Sequence, residues 1–309
     1  MRVVISEFMD RAAVAKLAAR FDVLYDKELV DRPGDLAREL ATADALIARN
    51  RTQINAELLS SAPRLRVVGR LGVGLDNVDM NVCAARHITV IPATGANAQA
   101  VAEYVVAAAM LLLRGTWFAT REMAAGHWPR AALSNGRELA GNTIGLIGFG
   151  GTGRLTGRLA RSLGMRAIGF DPQLPPASTV WVDEATQPRS LGEVVAEADI
   201  VSLHVPLTPD TRNLMDGERI ATMKRDAILI NTARGGVVDE PALASALRDG
   251  RLAGAALDVF EREPLPRGSP LADCPNLLLT PHIAGVTRES NVRVSSLIAD
   301  KVAAALTAG

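Results

Sequence analysis

The sequence predicts an α/β protein of two domains with parallel sheets, and three observations carry that expectation. Short apolar, β-branched runs alternate with helical segments along the chain, the rhythm of parallel α/β architecture. Several runs, such as IGLIG at 144–148, are apolar without interruption, as in strands covered on both faces. A glycine-rich turn appears only at 148–153, after more than 100 residues with a β/α rhythm of their own. The earlier strands therefore call for a separate domain.

Candidate strands lie at 3–5, 45–48, 66–68 and 89–91, then at 144–148, 167–170, 200–203, 228–231, 255–257 and 277–279. Helical stretches separate most of them, for example 11–20, 155–163 and 241–248. A long helical run at 97–125 is expected to cross from the first domain to the second. The last run, 291–308, is expected to cross back and pack on the first. The resulting domains are 1–98 with 287–309, and 99–286. LPPAS at 174–178 reads as a loop.

With 309 residues, 48% of them hydrophobic, the chain can bury a core in each domain. Its 34 basic and 34 acidic side chains balance, which leaves no electrostatic footprint for nucleic acid. Cys83 and Cys274 are far apart and lack metal-ligand spacing. No metal is expected, and the thiols fit a reducing cytoplasm. MRVVISEFMD lacks the apolar stretch of a signal peptide. The longest apolar run, 104–113, is too short for a bilayer, which needs about 20 residues. A buried helix and no membrane contact are expected.

IGLIGFGGTG at 144–153 places Gly148, Gly150 and Gly153 as GxGxxG directly after a strand and before a helix. The first glycine permits the tight turn and the second lets backbone approach a pyrophosphate. The third allows close strand–helix packing, and the helix N-terminus adds N–H groups and positive potential. A second strand ends in Asp171, 23 residues after Gly148, where an acid accepts hydrogen bonds from the adenosine ribose hydroxyls. Asp171 repels a 2′-phosphate, and FDPQ offers no neighbouring Arg to receive one, so NAD is expected over NADP. The ordinary alternative is a glycine turn beside a solvated Asp.

Three later strands each end in a chemically useful residue: Arg234 after ILINTA, Asp258 and Glu263 in DVFEREP, and His282 in TPHIAG. Ligands of open α/β sheets sit outside the carboxyl ends of the strands. The planar fork of an Arg holds a carboxylate and polarises a carbonyl. A His can give a proton to a forming alkoxide and take it back, and a Glu beside it orients the ring and favours the imidazolium. Together these types suit hydride transfer between a 2-hydroxy acid and its 2-keto acid. Taken singly, each also reads as a surface or loop residue.

These motifs carry a resemblance. With GRLGVGLDNVD at 69–79, GFGGTG at 148–153, SLHVPLT at 202–208, NTARGGVVDE at 231–240, DVFEREP at 258–264 and TPHIAG at 280–285, the chain resembles the D-isomer-specific 2-hydroxyacid dehydrogenases over essentially its whole length. Phosphoglycerate dehydrogenase and glyoxylate reductase are members. The resemblance implies a flavodoxin-like catalytic domain built from both chain ends, an NAD-binding Rossmann domain, and a homodimer formed through the latter. It makes Arg234 the substrate-binding catalytic Arg, His282 the acid/base and Glu263 its partner. Asp258 would hold the nicotinamide amide. Gly151 and Thr152 would contact pyrophosphate, with His204 of SLHVPLT also on the cofactor side. Thr232, Ala233 and Gly285 would lie on the nicotinamide side. Val73 and Gly74 would offer backbone N–H groups to the substrate carboxylate. The chain stops soon after the returning helix, so no regulatory domain and no serine-type feedback inhibition are expected.

Three rival readings share part of this pattern. A related formate dehydrogenase carries Gln where this chain has Glu263. An NAD(H)-sensing corepressor on the same scaffold can keep the same triad, and only turnover separates it from an enzyme. A different dinucleotide-binding enzyme sharing only GxGxxG leaves the motifs at 231–240 and 280–285 unexplained.

The substrate is expected to be a small anionic acid. Arg49 and Arg51 follow a first-domain strand, and Arg70 ends its neighbour. By resemblance Arg49 contacts substrate, as a second anionic group would require beyond Arg234. The alternative is that these arginines are solvated or ion-paired. ISEFMD at 5–10, RNRTQ at 49–53, WPRAAL at 128–133 and PHIAGVTRESN at 281–291 are most similar to the (S)-sulfolactate dehydrogenase branch. D-3-phosphoglycerate, glycerate and glyoxylate or hydroxypyruvate are the runners-up.

Overall fold

Neighbouring residues of a strand point to opposite faces of their sheet, and both halves of this chain use both faces. The computed structural model describes residues 1–117 and 119–308, in two units: Met1–Asn97 with Val286–Gly309, and Ala98–Gly285.

Among the described residues, the first unit holds β1 (Arg2–Ile5), β2 (Asp22–Tyr25), β3 (Ala45–Ala48), β4 (Val67–Arg70) and β5 (Thr89–Pro92). They form one parallel sheet in the order β2-β1-β3-β4-β5, the flavodoxin-like arrangement. Val3, Ile5, Ala45, Ile47 and Val67 face the helices Arg11–Ala18 and Arg288–Thr307. Val4, Leu46, Ala48 and Val68 face the opposite layer, with Leu36, Leu40, Leu59 and Cys83. Gly69 interrupts β4 for a steric reason. A Cβ there would lie 2.7 Å from a Val302 methyl and 2.8 Å from one of Ile298.

The second unit holds β6 (Thr143–Ile147), β7 (Arg166–Phe170), β8 (Gln187–Pro188), β9 (Ile200–Leu203), β10 (Ile228–Asn231), β11 (Gly254–Leu257) and β12 (Leu277–Leu279). All pair in parallel, in the order β12-β11-β10-β9-β6-β7-β8. This is the doubly wound dinucleotide-binding order extended by one strand. Strand order reverses between β6 and β9, so the ends of these two strands flank the topological switch point. Ile144, Leu146, Ile200, Ile228 and Ile230 pack under the helices Ala98–Arg114 and Gly151–Ser162, through Val105, Ala108, Leu112 and Ala160. Ile147, Val201, Leu203, Leu229 and Leu257 face Val194, Leu243 and Leu247 on the other side.

Three expectations need correction. Strands β2 and β8 were not anticipated: β8 is a two-residue edge, Gln187–Pro188, with no apolar run, whereas β2 carries the short apolar run VLY and was overlooked. The helical run expected over 97–125 is broken. Its helix stops at Arg114, where Gly115 adopts φ +57°. Gly115 N–H donates to Leu112 O (3.1 Å) and Thr116 N–H to Leu111 O (3.4 Å). That paired closure is a Schellman motif, which ends a helix by satisfying its last carbonyls. A second helix covers Ala119–Ala124, and Phe118 lies outside the described residues. The C-terminal helix, Arg288–Thr307, starts three residues before the expected 291 because Thr287 and Ser290 form a capping box. No helix among the described residues is long and apolar enough to cross a membrane.

Candidate active site

At the switch point of the second unit the three glycines do different work. Gly148 has φ +92°, and a Cβ on it would lie 2.6 Å from the His204 carbonyl oxygen. Nothing lies within 4 Å of a Cβ built on Gly150 or Gly151, so space stays open in front of the helix. A Cβ on Gly153 would collide with the Gly148 carbonyl. Gly150 caps the helix Gly151–Ser162 without any side-chain hydrogen bond. The first-turn N–H groups, from Gly151 and Thr152 onward, therefore suit a diphosphate.

Asp171 closes this turn from the next strand. Its Oδ2 accepts from Phe149 N–H (2.8 Å) and its Oδ1 from Gln173 N–H (2.9 Å). Each oxygen keeps a lone-pair direction for a ribose hydroxyl. Asp171 also lines a cavity of about 470 Å³ with Phe170, Leu174, Trp181 and Arg189. The expectation that no Arg lies nearby thus holds along the chain and not in space. Arg189 is engaged by Glu197 (3.3 Å), Gln187 (3.0 Å) and the Pro188 carbonyl (3.0 Å). The residues present fit a dinucleotide with a free 2′-hydroxyl.

His204 lies against Gly153, with its Nε2 3.0 Å from Ser202 Oγ. Desolvation alone pushes its pKa down to about 4. That keeps the ring neutral near pH 7, which suits a hydrogen-bonding group rather than a proton shuttle.

β10, β11 and β12 are neighbours in that order, and the loops leaving them meet. In the first, Asn231 Nδ2 donates to Arg234 O (2.9 Å) and Ala233 N–H to Asn231 Oδ1 (3.0 Å). Arg234 Nη1 donates to Ala233 O (2.6 Å). The buried Thr232 hydroxyl has no hydrogen-bond partner among the described residues, which fits a polar group supplied by a ligand. A Cβ on Gly235 would overlap the Phe260 carbonyl, so only glycine lets this loop press against the next. Phe260 N–H donates to Glu263 Oε1 (3.1 Å), and Glu263 Oε2 sits 2.8 Å from His282 Nδ1. Arg234, Glu263 and His282 therefore lie on three successive loops in contact.

An ionised carboxylate only accepts hydrogen bonds. Glu263 thus puts the proton on Nδ1 and leaves Nε2 for the reacting atom. The pair is 36% and 45% exposed, so its electrostatic contribution is at most about 1 kcal/mol. Its main effect is to orient the ring and fix the tautomer.

His282 has φ +57°, a conformation uncommon outside glycine. Asp258, 1% exposed, holds it there. The main-chain oxygen of Asp258 accepts from His282 N–H (2.8 Å). Its Oδ1 accepts from Thr280 Oγ1 (2.6 Å) and Ile283 N–H (2.8 Å), and its Oδ2 from Ala284 N–H (2.7 Å). Tyr104 Oη lies 2.6 Å from Thr280 Oγ1. Thr280 gives its proton to Asp258, so Tyr104 is the donor to Thr280. Asp258 thus organises the His282 loop, with one lone pair on Oδ2 left for a cofactor amide. Sequence reading missed Tyr104 and Thr280 as site residues, since Tyr104 reads as core and Thr280 as a plain strand end. Gly285 ends this unit.

In the first unit the ends of β3 and β4 lie side by side, with Ala48 paired to Arg70. Arg49 follows β3, half-buried, its guanidinium hydrogen-bonded to Asn291 Oδ1 and centred 5.7 Å from the Phe8 ring. Val73, 41% exposed, and Gly74 lie in the turn after β4. That turn begins at Gly72, where a Cβ would overlap the Arg70 guanidinium. Arg51 does not join this group: it is exposed and ion-paired with Asp31.

Residues 106–284 match the family described as D-isomer specific 2-hydroxyacid dehydrogenase, NAD binding domain. The chain is 51% identical to (S)-sulfolactate dehydrogenase of Chromohalobacter salexigens, over 98% of both chains. It is 37% identical to D-3-phosphoglycerate dehydrogenase of Mycobacterium leprae, over 98% of this chain and 56% of that one. It spans about half the length of such phosphoglycerate dehydrogenase relatives. The solved TT0316 protein of Thermus thermophilus superposes with a TM-score of 0.88 at 35% identity, covering 100% of this chain and 97% of the other.

Proposed function

The chain belongs to the D-isomer specific 2-hydroxyacid dehydrogenases, and we propose that its substrate pair is (S)-sulfolactate and 3-sulfopyruvate. It is an NAD-dependent oxidoreductase acting on a small 2-hydroxy acid. The observation that carries the substrate is Arg49, a half-buried cation held by a neutral amide. It suits a second anion on the substrate, and the 51% identical relative is a sulfolactate dehydrogenase.

In this reading the glycine turn and Asp171 would hold the dinucleotide, which would take up the hydride as NAD during oxidation and supply it as NADH during reduction. Arg234 holds the C1 carboxylate and polarises the C2 carbonyl. Backbone N–H groups of Val73 and Gly74 bind the carboxylate. His282 Nε2 gives its proton to the forming C2 oxygen during reduction and removes it during oxidation. Glu263 stabilises the imidazolium through Nδ1. The test is kcat/KM with NAD for (S)-sulfolactate, D-3-phosphoglycerate, D-glycerate and D-lactate side by side. Sulfolactate should rank first; phosphoglycerate first would move the assignment to that branch, and no turnover on any acid would favour the nucleotide sensor.

Asp171 is the proposed basis for NAD over NADP. Asp171→Ala is expected to narrow the NADH/NADPH preference by at least about tenfold, since a bidentate ribose contact to a charged acceptor contributes about 1.5–3 kcal/mol. An unchanged ratio of kcat/KM values would place the discrimination elsewhere.

A homodimer in the cytoplasm completes the proposal. Met110, Leu111, Met123 and Trp128 are 38–73% exposed along one stretch of the second unit. The helices Ala119–Ala124 and Arg130–Leu133 bury no residue of their own. Apolar exposure of this kind suits a second copy, and sedimentation equilibrium at micromolar concentration reads it directly, a monomer overturning it. Both cysteines are free thiols, as a reducing compartment allows.

A further inference from the structure

Three of the stretches that resemble the sulfolactate dehydrogenase branch, 5–10, 49–53 and 281–291, are far apart in sequence. Residues from all three meet in the first unit. Glu7 is 4% exposed. Its carboxylate accepts from the main-chain N–H groups of Arg49 (2.8 Å), Thr52 (3.0 Å) and Arg51 (3.2 Å). Asn77 Nδ2 donates to the carbonyls of Arg49 (3.1 Å) and Thr52 (2.7 Å). The loop after β3 is thereby clamped from both sides, and the Cα of Arg49 is fixed before any ligand arrives. The side chain is then placed by Phe8 beneath the guanidinium and by Asn291 in the first turn of the C-terminal helix.

The chemistry of that last contact is informative. A half-buried arginine ordinarily meets a carboxylate, which balances its charge. Here the acceptor is an amide oxygen, which fixes the guanidinium without neutralising it. Glu7, the carboxylate whose charge acts on Arg49, is already occupied by three backbone donors. Burial pushes the Arg49 pKa down from its ordinary value, although Glu7 opposes the shift. A guanidinium nevertheless stays charged at any working pH. The result is a placed cation whose charge no hydrogen-bonded anion among the described residues balances. Because Asn291 Oδ1 faces Arg49, its amide N–H groups point away from that contact and supply two further donors.

We propose that Asn291 is a specificity-determining residue, which positions Arg49 as an unneutralised cation and with it recognises the substrate's second, sulfonate-type anion. The proposal rests on the substrate reading above and adds the residue that makes it selective. A sulfonate offers three acceptor oxygens and one negative charge, which suits a guanidinium edge plus an amide. Asp at 291 would keep the geometry and place its own carboxylate on Arg49, competing with the substrate for the charge.

The experiment compares wild type, Asn291→Ala, Asn291→Asp and Arg49→Ala, using kcat/KM on (S)-sulfolactate and on D-lactate. The quantity read is the sulfolactate-to-lactate ratio. Asn291→Ala should lower it at least fivefold and Asn291→Asp at least thirtyfold, through KM for sulfolactate rather than kcat. Arg49→Ala should match the Asp variant, and methanesulfonate should lose potency as an inhibitor in the same order. A ratio within twofold of wild type in both Asn291 variants, with wild type preferring sulfolactate, would overturn the role of Asn291 and leave the substrate reading intact. A wild type with no preference for sulfolactate would overturn both. Far-ultraviolet circular dichroism and the melting temperature confirm folding, and the two substitutions in an accessible first turn provide independent chances of a folded variant.

Discussion

His282→Ala is expected to lower turnover in both directions by about 10²–10⁴-fold, the usual contribution of a positioned general acid–base group, while NADH still binds. The geometry separates the two effects. The glycine turn, Asp171 and the helix N-terminus that suit the dinucleotide stand at the ends of β6 and β7, whereas His282 follows β12. Wild-type reduction should weaken as pH rises, because the protonated ring is the donor. Oxidation should weaken as pH falls, because the neutral ring is the acceptor. In His282→Ala both of these opposed dependences should vanish together. Steady-state rates from pH 5 to 10, with NADH binding followed by fluorescence, check this. A variant that keeps wild-type rates would remove His282 from the mechanism. His204 offers no substitute, since desolvation holds it neutral above about pH 4.

Asp258→Asn should have the next largest effect on catalysis. The native carboxylate accepts three hydrogen bonds from the 280–284 loop, from Thr280, Ile283 and Ala284. An Asn of the same shape must turn its NH₂ toward at least one of those donors. Losing one hydrogen bond to a charged acceptor costs about 1.5–3 kcal/mol, so kcat should fall roughly 10–100-fold as His282 loses its held left-handed conformation. The melting temperature should drop by a few degrees. KM for NADH should change less than kcat. If NADH affinity collapses while kcat holds, Asp258 acts on the cofactor alone and not on the loop. Thr280→Val, which deletes the hydroxyl between Tyr104 and Asp258, should show a weaker effect of the same pattern.

How much of this was legible in the chain varies by residue. The glycine turn and Asp171 were readable because their constraints are local: φ at Gly148, open space at Gly150 and a spacing fixed by one strand–helix–strand unit. Central strands such as Ile200–Leu203 were readable because burial on both faces leaves an uninterrupted apolar run. Strand β8 was not, since its two residues, Gln187–Pro188, leave no such run; β2 was overlooked although its VLY is as apolar as the run of the opposite edge strand, β5. The end of the helix at Arg114 was signalled by Gly115, but the apolar pattern beyond it outweighed that signal.

The sequence by itself determined the two α/β halves and the residue types that suit hydride transfer, because both rest on short-range pattern and side-chain chemistry. Only the tertiary structure shows which side chains touch. Residue type does not separate Arg49 from Arg51, which only the resemblance told apart; in the structure one is held by Asn291, 242 positions away, and the other is paired with Asp31 on the surface. Asp258 reads in the sequence as a cofactor-side acid, yet its three loop contacts come from residues 22–26 positions further on. The physical reason is the parallel sheet: each strand end is carried across a helix before it meets its neighbour, so partners at a site are brought together by register and not by spacing.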